Sequence, residues 1–266
     1  MHNEQSYYAR MRSTMSDKLR ALDGQVKKGM RVLDFGSGPS EDVYEYVQYF
    51  EADYYALDNS RQVQILLEEK GIRCIDLTFL KSADIKFDII FMSSVFHELL
   101  SYLSRNEAAS TMNVVLSHLS EHGKLIIRDW CAPEDKTFAR VEVIPTKIDE
   151  VKQWIKDLSE HAVFLSEVVV EKNIIQASVD DLYNILLHVT WGRQSILRES
   201  NESYLVDQSS IKQFILNGNQ NIKLVSQCAY YQSDYTNYLS NYFKDVEAFV
   251  KQYHICTKQV IVLQKA

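Results

Sequence analysis

The chain has 266 residues, 46% apolar and 24% charged, which is globular composition at a length that can bury a sizeable core as one large domain. No run approaches the roughly 18 consecutive apolar residues of a spanning helix, so the expectation is a soluble protein with no membrane partner. A net charge of −7 argues against an extended nucleic-acid footprint, which depends on clustered Lys and Arg.

The first residues, "MHNEQSYYARMRSTMSDKLR", are polar and lack the apolar segment of a secretory signal, so a cytoplasmic location is expected. Basic residues dominate up to position 31, with Arg10, Arg12, Lys18, Arg20, Lys27, Lys28 and Arg31 against Glu4, Asp17 and Asp23. They read either as a solvated helix face or as an arm facing phosphate or carboxylate groups. Cys74, Cys131, Cys228 and Cys256 form no CxxC pair and have no His at ligand spacing, so neither a disulfide framework nor a metal site is expected.

Residues 6–28 read as one or two amphipathic helices. The pattern then changes. "MRVLDF" (30–35), "DYYALD" (53–58), "IRCIDL" (72–77), "FDIIFMSS" (87–94) and "KLIIRDW" (124–130) are short apolar strands. Helices are expected between them at 40–50 and 61–71, with one or two more across 96–120. Five nearly continuous apolar strands separated by helices predict a doubly wound α/β core with a parallel sheet covered on both faces.

After Pro133 the alternation stops. Residues 147–161, 179–191 and 209–217 read as helices and 163–178 as extended or irregular, before two last strands at 222–230 and 258–264. The expected organisation is an N-terminal helical arm (1–29), a core made of 30–130 and 222–266, and a largely helical insertion (131–221).

The join "RVLDFGSGPSEDVY" (31–44) carries a strand through glycines into a helix. Such a turn lets the backbone approach a ligand, and the helix start offers unpaired N–H groups. The dinucleotide fingerprint GxGxxG fails here, because Glu41 stands where the third glycine would be. The acid Asp34, two residues before Gly36, with Ser37 and Gly38 following, makes "LDFGSG" resemble the first motif of the class I S-adenosylmethionine-dependent methyltransferases. Ser40 replaces that motif's last glycine.

Other segments follow in the order this resemblance implies. Asp58 ends the second strand, 24 residues after Asp34, where a carboxylate can accept both ribose hydroxyls of a nucleoside. Asp76 follows strand three, near the place of the adenine amino group in that family, and Ser93 and Ser94 close strand four beside the methyl donor. "HGKLIIRDW" matches the family's strand five, and the last two strands supply six and seven, including the reversed strand that separates the fold from dehydrogenases. The resemblance covers about 30–130 and 222–266 and implies S-adenosyl-L-methionine as cofactor over Gly36–Gly38, in a Rossmann-like sheet of seven mostly parallel strands.

Methyl transfer from a sulfonium is an in-line displacement, so the protein chiefly holds donor and acceptor in near-attack geometry. His97 and Glu98 follow strand four and read either as acceptor-facing groups or as an ordinary first-turn pair. Arg128 and Asp129 end strand five; adjacent strand residues face opposite ways, and Asp129 is preferred as base or acceptor-orienting group over a plain salt-bridge role. In the arm, Tyr8 could cap the cofactor and Arg10 pair with its methionyl carboxylate, or both could be packing residues. Within "HVTWGRQSILRESNESY" (188–204), Trp191 could wall an acceptor and Arg193 and Arg198 clamp its anionic groups, or the segment could be a helical junction with surface charges. The tyrosines of "AYYQSDYTNYLSNYF" (229–243) read as packing residues.

The leading expectation is transfer of a methyl group to a small-molecule O- or N-acceptor held under 131–221. An NPPY-like tetrad after strand four would suit base amino-group methylation, but the sequence there is "SSVF". RNA methylation at a ribose or chain end, a catalytically silent binding subunit and a nicotinamide-dependent oxidoreductase stand as rivals, and a homodimer is left open.

Overall fold

The computed structural model describes residues 15–39, 41–160, 167–190, 197, 199, 201–216, 219 and 221–266. Helix α1 (Met15–Leu22) leads into β1 (Arg31–Phe35), α2 (Asp42–Tyr49), β2 (Asp53–Leu57), α3 (Arg61–Glu68), β3 (Cys74–Ile75), α4 (Leu77–Ser82) and β4 (Phe87–Ser93). Then come α5 (Phe96–Tyr102), α6 (Arg105–Ser117) and β5 (Leu119–Asp129). Ser104 divides α5 from α6: its hydroxyl accepts from Glu107 N at 3.4 Å while the Glu107 carboxylate accepts from Ser104 N at 2.9 Å, a reciprocal cap that starts a new helix.

The main sheet has seven strands in the order β3-β2-β1-β4-β5-β10-β9, where β9 is Ile222–Tyr230 and β10 is Lys258–Lys265. β1 to β5 pair in parallel, and β10 is antiparallel to both of its neighbours. This is the seven-stranded, mostly parallel arrangement with a reversed last strand that the sequence predicted.

Alternate residues of each central strand face opposite layers. Val32, Tyr54, Ala56, Ile89 and Phe91 pack with Val43 and Val47 of α2 and Val63 and Leu67 of α3. Leu33, Tyr55, Leu57, Ile90 and Met92 pack with Met112, Val115 and Leu116 of α6. Burial on both faces is why these strands read as continuous apolar runs.

β5 begins five residues earlier than the 124–130 run, and α6 ends at Ser117, short of residue 120. A register irregularity opposite Phe87–Ile89 carries the strand through the polar "EHG", with His122 at φ +63°. A Cβ on Gly123 would lie 2.9 Å from the Phe87 carbonyl oxygen, so glycine is required there.

Between β5 and β9 the sequence reading was incomplete. Besides α7 (Ile148–Ser159), α8 (Val179–Thr190) and α9 (Gln208–Ile211, continued with π geometry over Lys212–Leu216), the region holds a second sheet. Its strands are β6 (Phe138–Glu142), β7 (Val169–Glu171) and β8 (Ile174–Ser178), in the antiparallel order β6-β8-β7. Ala139, Val141, Ile175 and Ala177 from this sheet and Leu182 and Ile185 from α8 share one apolar cluster with Leu33 and Met92 of the main sheet. No described helix is long and apolar enough to cross a membrane.

Candidate active site

The glycine turn begins where β1 stops. Gly36 (φ +73°) and Gly38 (φ +63°) take left-handed backbone, and the N–H groups of Gly36 and Ser37 donate to the Leu57 carbonyl at 2.7 and 3.1 Å, tying the turn to the end of β2. A Cβ on Gly36 would lie 2.5 Å from Val95 Cγ2, so the turn also presses on the loop that follows β4. Gly36→Ala combines left-handed strain with overpacking and is expected to lower stability by about 2–4 kcal/mol. A denaturation midpoint equal to that of the wild type would refute this close approach.

Asp58, just past β2, accepts from Gly38 N at 2.9 Å on one oxygen and from Ser60 N at 2.8 Å on the other. Each oxygen keeps a lone pair, so the carboxylate joins the glycine turn to the start of α3 and can still accept from a ligand. The buried Ser37 hydroxyl donates to the Gly38 carbonyl at 3.3 Å.

Asp34 is 2% exposed and accepts from the Tyr54 hydroxyl at 2.8 Å. Burial pushes its carboxyl up to about 6, against the pull of the Lys18 ammonium and the Tyr54 hydrogen bond and with a push from Asp58. Lys18, itself buried, is lowered first by burial and is held up by Asp34. Between about pH 4 and 6 the folded protein therefore holds a proton at Asp34 that the unfolded chain has released. This carboxyl's contribution to stability declines as pH rises through that window. Asp34→Asn removes the decline, so its stability relative to the wild type should improve by up to about 3 kcal/mol between pH 4 and 6.5. Parallel denaturation curves at the two pH values test this; a difference independent of pH would refute it.

Asp76 is exposed and caps α4, its carboxylate accepting from Phe79 N at 2.6 Å. It lines a cleft of about 510 Å³ at the β3 edge with Tyr55, Arg61, Gln64 and Arg73.

At the end of β4, Ser94 is held at φ +56°, outside the comfortable range of a side-chain-bearing residue, and its N–H donates to the Arg128 carbonyl at 2.7 Å. The sequence reading allowed one of Arg128 and Asp129 into the site. Alternation instead sends two buried groups to two clusters. The Arg128 guanidinium reaches the hydroxyls of Ser93 (3.4 Å) and Ser94 (3.2 Å) and pairs with Asp17 of α1 through Nε at 2.8 Å and through Nη2. The same Asp17 oxygen accepts from Tyr230 Oη at 3.0 Å and Gln232 Nε2 at 3.1 Å. Lys258 donates to Ser94 Oγ at 3.1 Å and lies 3.2 Å from the centroid of the Trp130 ring.

Asp129 accepts four hydrogen bonds: Phe96 N (2.8 Å) and His97 N (3.1 Å) on one oxygen, Trp130 N (2.7 Å) and His97 Nδ1 (2.7 Å) on the other. Burial alone would raise its carboxyl, but the His97 charge and hydrogen bond, with Lys258 behind them, bring it down to about 2. A carboxylate so stabilised is a poor proton acceptor, which sits better with the acceptor-orienting role expected of Asp129 than with that of a base. Its geometry is that of a group that fixes the His97 ring.

His97 is 3% exposed, and its Nε2 faces Glu202 Oε2 at 3.3 Å. Burial lowers His97, yet Asp129 and Glu202 outweigh it and push the imidazole up to about 10. The other Glu202 oxygen accepts from the Tyr102 hydroxyl at 3.0 Å. Glu98 completes the group: burial pushes its carboxyl up to about 7, and it makes no hydrogen bond among the described residues. One ligating atom each from His97, Glu98 and Glu202 lies within 4.8 Å of the others. Trp130 stacks on Tyr204 (4.5 Å between centroids), and His97 meets the Tyr204 ring edge-on at 5.5 Å, walling the cluster.

The structure thus brings Asp34, Gly36, Ser37, Gly38 and Asp58 together at one turn and His97, Glu98 and Asp129 at another, with Ser93 on the Arg128 side of β4. Tyr8, Arg10, Ser40, Trp191, Arg193 and Arg198 lie outside the described residues. Sequence reasoning did not assign roles to Asp17, Lys18, Tyr102, Glu202 or Lys258. Glu202 gave a signal as one of many polar residues in 188–204, and Lys18 and Asp17 as members of the charged N-terminal arm.

No protein-family model matches the chain, and no curated protein matches it in sequence. Solved structures do match its fold. An S-adenosylmethionine-dependent methyltransferase from Mesorhizobium loti aligns over 93% of this chain and 95% of its own, with 12% identity and a TM-score of 0.51. The MccD protein aligns over 96% of both chains, with 13% identity and a TM-score of 0.51. Geranyl diphosphate C-methyltransferase from Streptomyces coelicolor A3(2), solved with Mg2+, geranyl diphosphate and S-adenosyl-L-homocysteine, aligns over 96% of this chain and 81% of its own, with 8% identity and a TM-score of 0.51. The likeness lies in the fold, which is that of the class I S-adenosylmethionine-dependent methyltransferases, in keeping with the motifs.

Proposed function

We propose that the chain transfers the methyl group of S-adenosylmethionine to a small-molecule O- or N-acceptor. The observation that carries this reading is the glycine turn hydrogen-bonded to Asp58 in a sheet of this strand order, with a buried polar cluster beyond β4. In open α/β sheets ligands bind outside the carboxyl ends of the strands, where both lie.

The residues at the turn fit the cofactor by the chemistry of their donors and acceptors. Asp58 has an acceptor lone pair on each oxygen for a vicinal diol, and the opposed charges of Asp34 and Lys18 suit the ammonium and carboxylate of a methionyl group. When bound, the cofactor supplies an electrophilic methyl on a sulfonium. The protein's work is then orientation and exclusion of water. Asp129 locks the His97 ring, Trp130 and Tyr204 form an apolar wall, and Glu98 is the carboxylate left free to meet the acceptor.

Residues 131–221 are read as the acceptor cap on a core of 30–130 and 222–266. The support is Glu202, which crosses from that region to His97 and Tyr102. A small acceptor suits a cluster enclosed in this way and a net charge of −7 better than RNA does. The solved relatives include one crystallised with geranyl diphosphate, a small molecule.

The test is calorimetric titration of the cofactor-free protein with S-adenosylmethionine and S-adenosylhomocysteine, with NADH as control. Binding of the first two is expected, weakened at least about tenfold by Asp58→Ala, roughly 1.4 kcal/mol. Binding of NADH alone would favour the oxidoreductase, and binding of none would overturn both enzyme readings. Cofactor binding with no product from any acceptor tried would favour a silent binding subunit.

A further inference from the structure

We propose that His97, Glu98 and Glu202 bind a divalent transition-metal ion, with Zn2+ or Mn2+ as the matching chemistry, in the pocket beyond β4. The three side chains come from two distant parts of the chain yet bring one imidazole nitrogen and two carboxylate oxygens within 4.8 Å of one another. His97 and Glu202 are buried. That donor set is mixed: its imidazole suits Zn2+ and Fe2+ and its two carboxylates also suit Mn2+, whereas Mg2+ and Ca2+ take oxygen ligands.

The spacing suits a shared ion as well as the ion pair formed without one. His97 Nδ1 meets Asp129 at 2.7 Å, the ordinary length of a charge-assisted hydrogen bond, but Nε2 stands 3.3 Å from Glu202 Oε2. Two ligands about 2.0–2.1 Å from one tetrahedral ion stand about 3.3–3.4 Å apart. The side of the ring that faces the cluster is thus set at metal-sharing distance, and the side that faces away is clamped.

The outer partners agree. A metal-bound His typically donates its other ring N–H to a carboxylate, which fixes the tautomer and the ring plane. Asp129 is such a carboxylate, itself held by three backbone N–H groups. Tyr102 orients Glu202 by donating to its second oxygen at 3.0 Å. Glu98, with no hydrogen bond among the described residues, is free to turn toward an ion.

Three protein ligands leave at least one position open, as in catalytic rather than structural sites. Resting on the methyltransferase reading, the open position would take an oxygen or nitrogen of the acceptor and hold it toward the methyl donor. The favoured acceptors are then those with a ligating atom beside the methylated one, such as hydroxy acids or vicinal diols.

The experiment is titration of the chelator-treated full chain with Zn2+ and Mn2+, with Co2+ as a spectroscopic probe. Each is done with and without S-adenosylhomocysteine. One ion per chain and visible Co2+ bands are expected. Glu98→Gln and Glu202→Gln should each weaken binding about 100-fold, and Asp129→Asn and Tyr102→Phe about 10–100-fold as orienting partners. Absence of binding, or wild-type affinity in both glutamine variants, would overturn the site. S-adenosylhomocysteine binding by every variant shows that the fold is intact. It also separates the outcomes: cofactor binding without metal sinks only this inference, and metal binding without cofactor sinks only the methyltransferase reading.

Discussion

Replacing Asp129 by alanine should lower the unfolding free energy by about 3–5 kcal/mol, the range found when one partner of a buried ion pair is removed. Two causes act together. Three backbone N–H groups, those of Phe96, His97 and Trp130, lose their acceptor, and the loop from β4 into α5 loses what holds its first turn. His97 also keeps a buried imidazole whose nearest counter-charge has gone, with Glu202 at 3.3 Å as its remaining partner. Urea denaturation checks this as a fall in midpoint at unchanged slope. Asp129→Asn retains an acceptor oxygen and should lose less. A loss below about 1 kcal/mol for the alanine variant would mean that water replaces the carboxylate, and that the site is more open than its burial implies.

Asp17→Ala is the second large effect, again about 3–5 kcal/mol, because it strands Arg128 in an environment where that residue is 1% exposed. Among the described residues Arg128 would retain the serine hydroxyls at 3.2 and 3.4 Å and its contact with the Tyr230 hydroxyl. The consequence reaches beyond stability. Asp17 and Lys18 are neighbours on α1, so losing the Arg128 pair also loosens Lys18 beside Asp34. Asp17→Ala should therefore weaken S-adenosylhomocysteine binding as well as lower the midpoint. Arg128→Met removes the stranded charge and tests the assignment: the double variant should be more stable than Asp17→Ala alone. A double variant no better than the single would assign the loss to the Tyr230 and Gln232 hydrogen bonds instead.

Much of the fold was legible because the main sheet is buried on both faces. Runs such as "RVLDF" and "FDIIF" have no polar alternation to confuse with a surface strand, and β9 and β10 fall where their sequence places them. β6 was not legible: "FARVE" alternates exposed and buried residues, carries two charges and lacks a flanking hairpin signal. The start of β5 was hidden by "EHG", which reads as a helix stop although the strand passes through it with His122 in left-handed backbone.

The turn at Gly36–Gly38 and the acid at Asp58 were visible because their roles depend on local backbone. The His97 cluster was visible only as separate names. His97, Glu98 and Asp129 stood out one by one, but their meeting depends on pairing across β4 and β5, and Glu202 arrives from more than a hundred residues away. Lys18 and Asp17 stood in a charged arm that read either as a solvated face or as one turned to phosphate or carboxylate groups, because sequence cannot show that α1 docks with that side inward.

The place of β10 has a consequence for how the sheet comes to exist. β10 lies between β5 and β9, although both precede it in the chain. During synthesis each of those strands emerges with one long edge unpaired, and β5 carries the apolar run Leu125–Ile127 on its own. Until residues 258–265 have left the ribosome, no strand can fill that seam. Assembly must therefore leave a gap of one strand's width open, and the pairing that closes it is among the slow, long-range steps of folding.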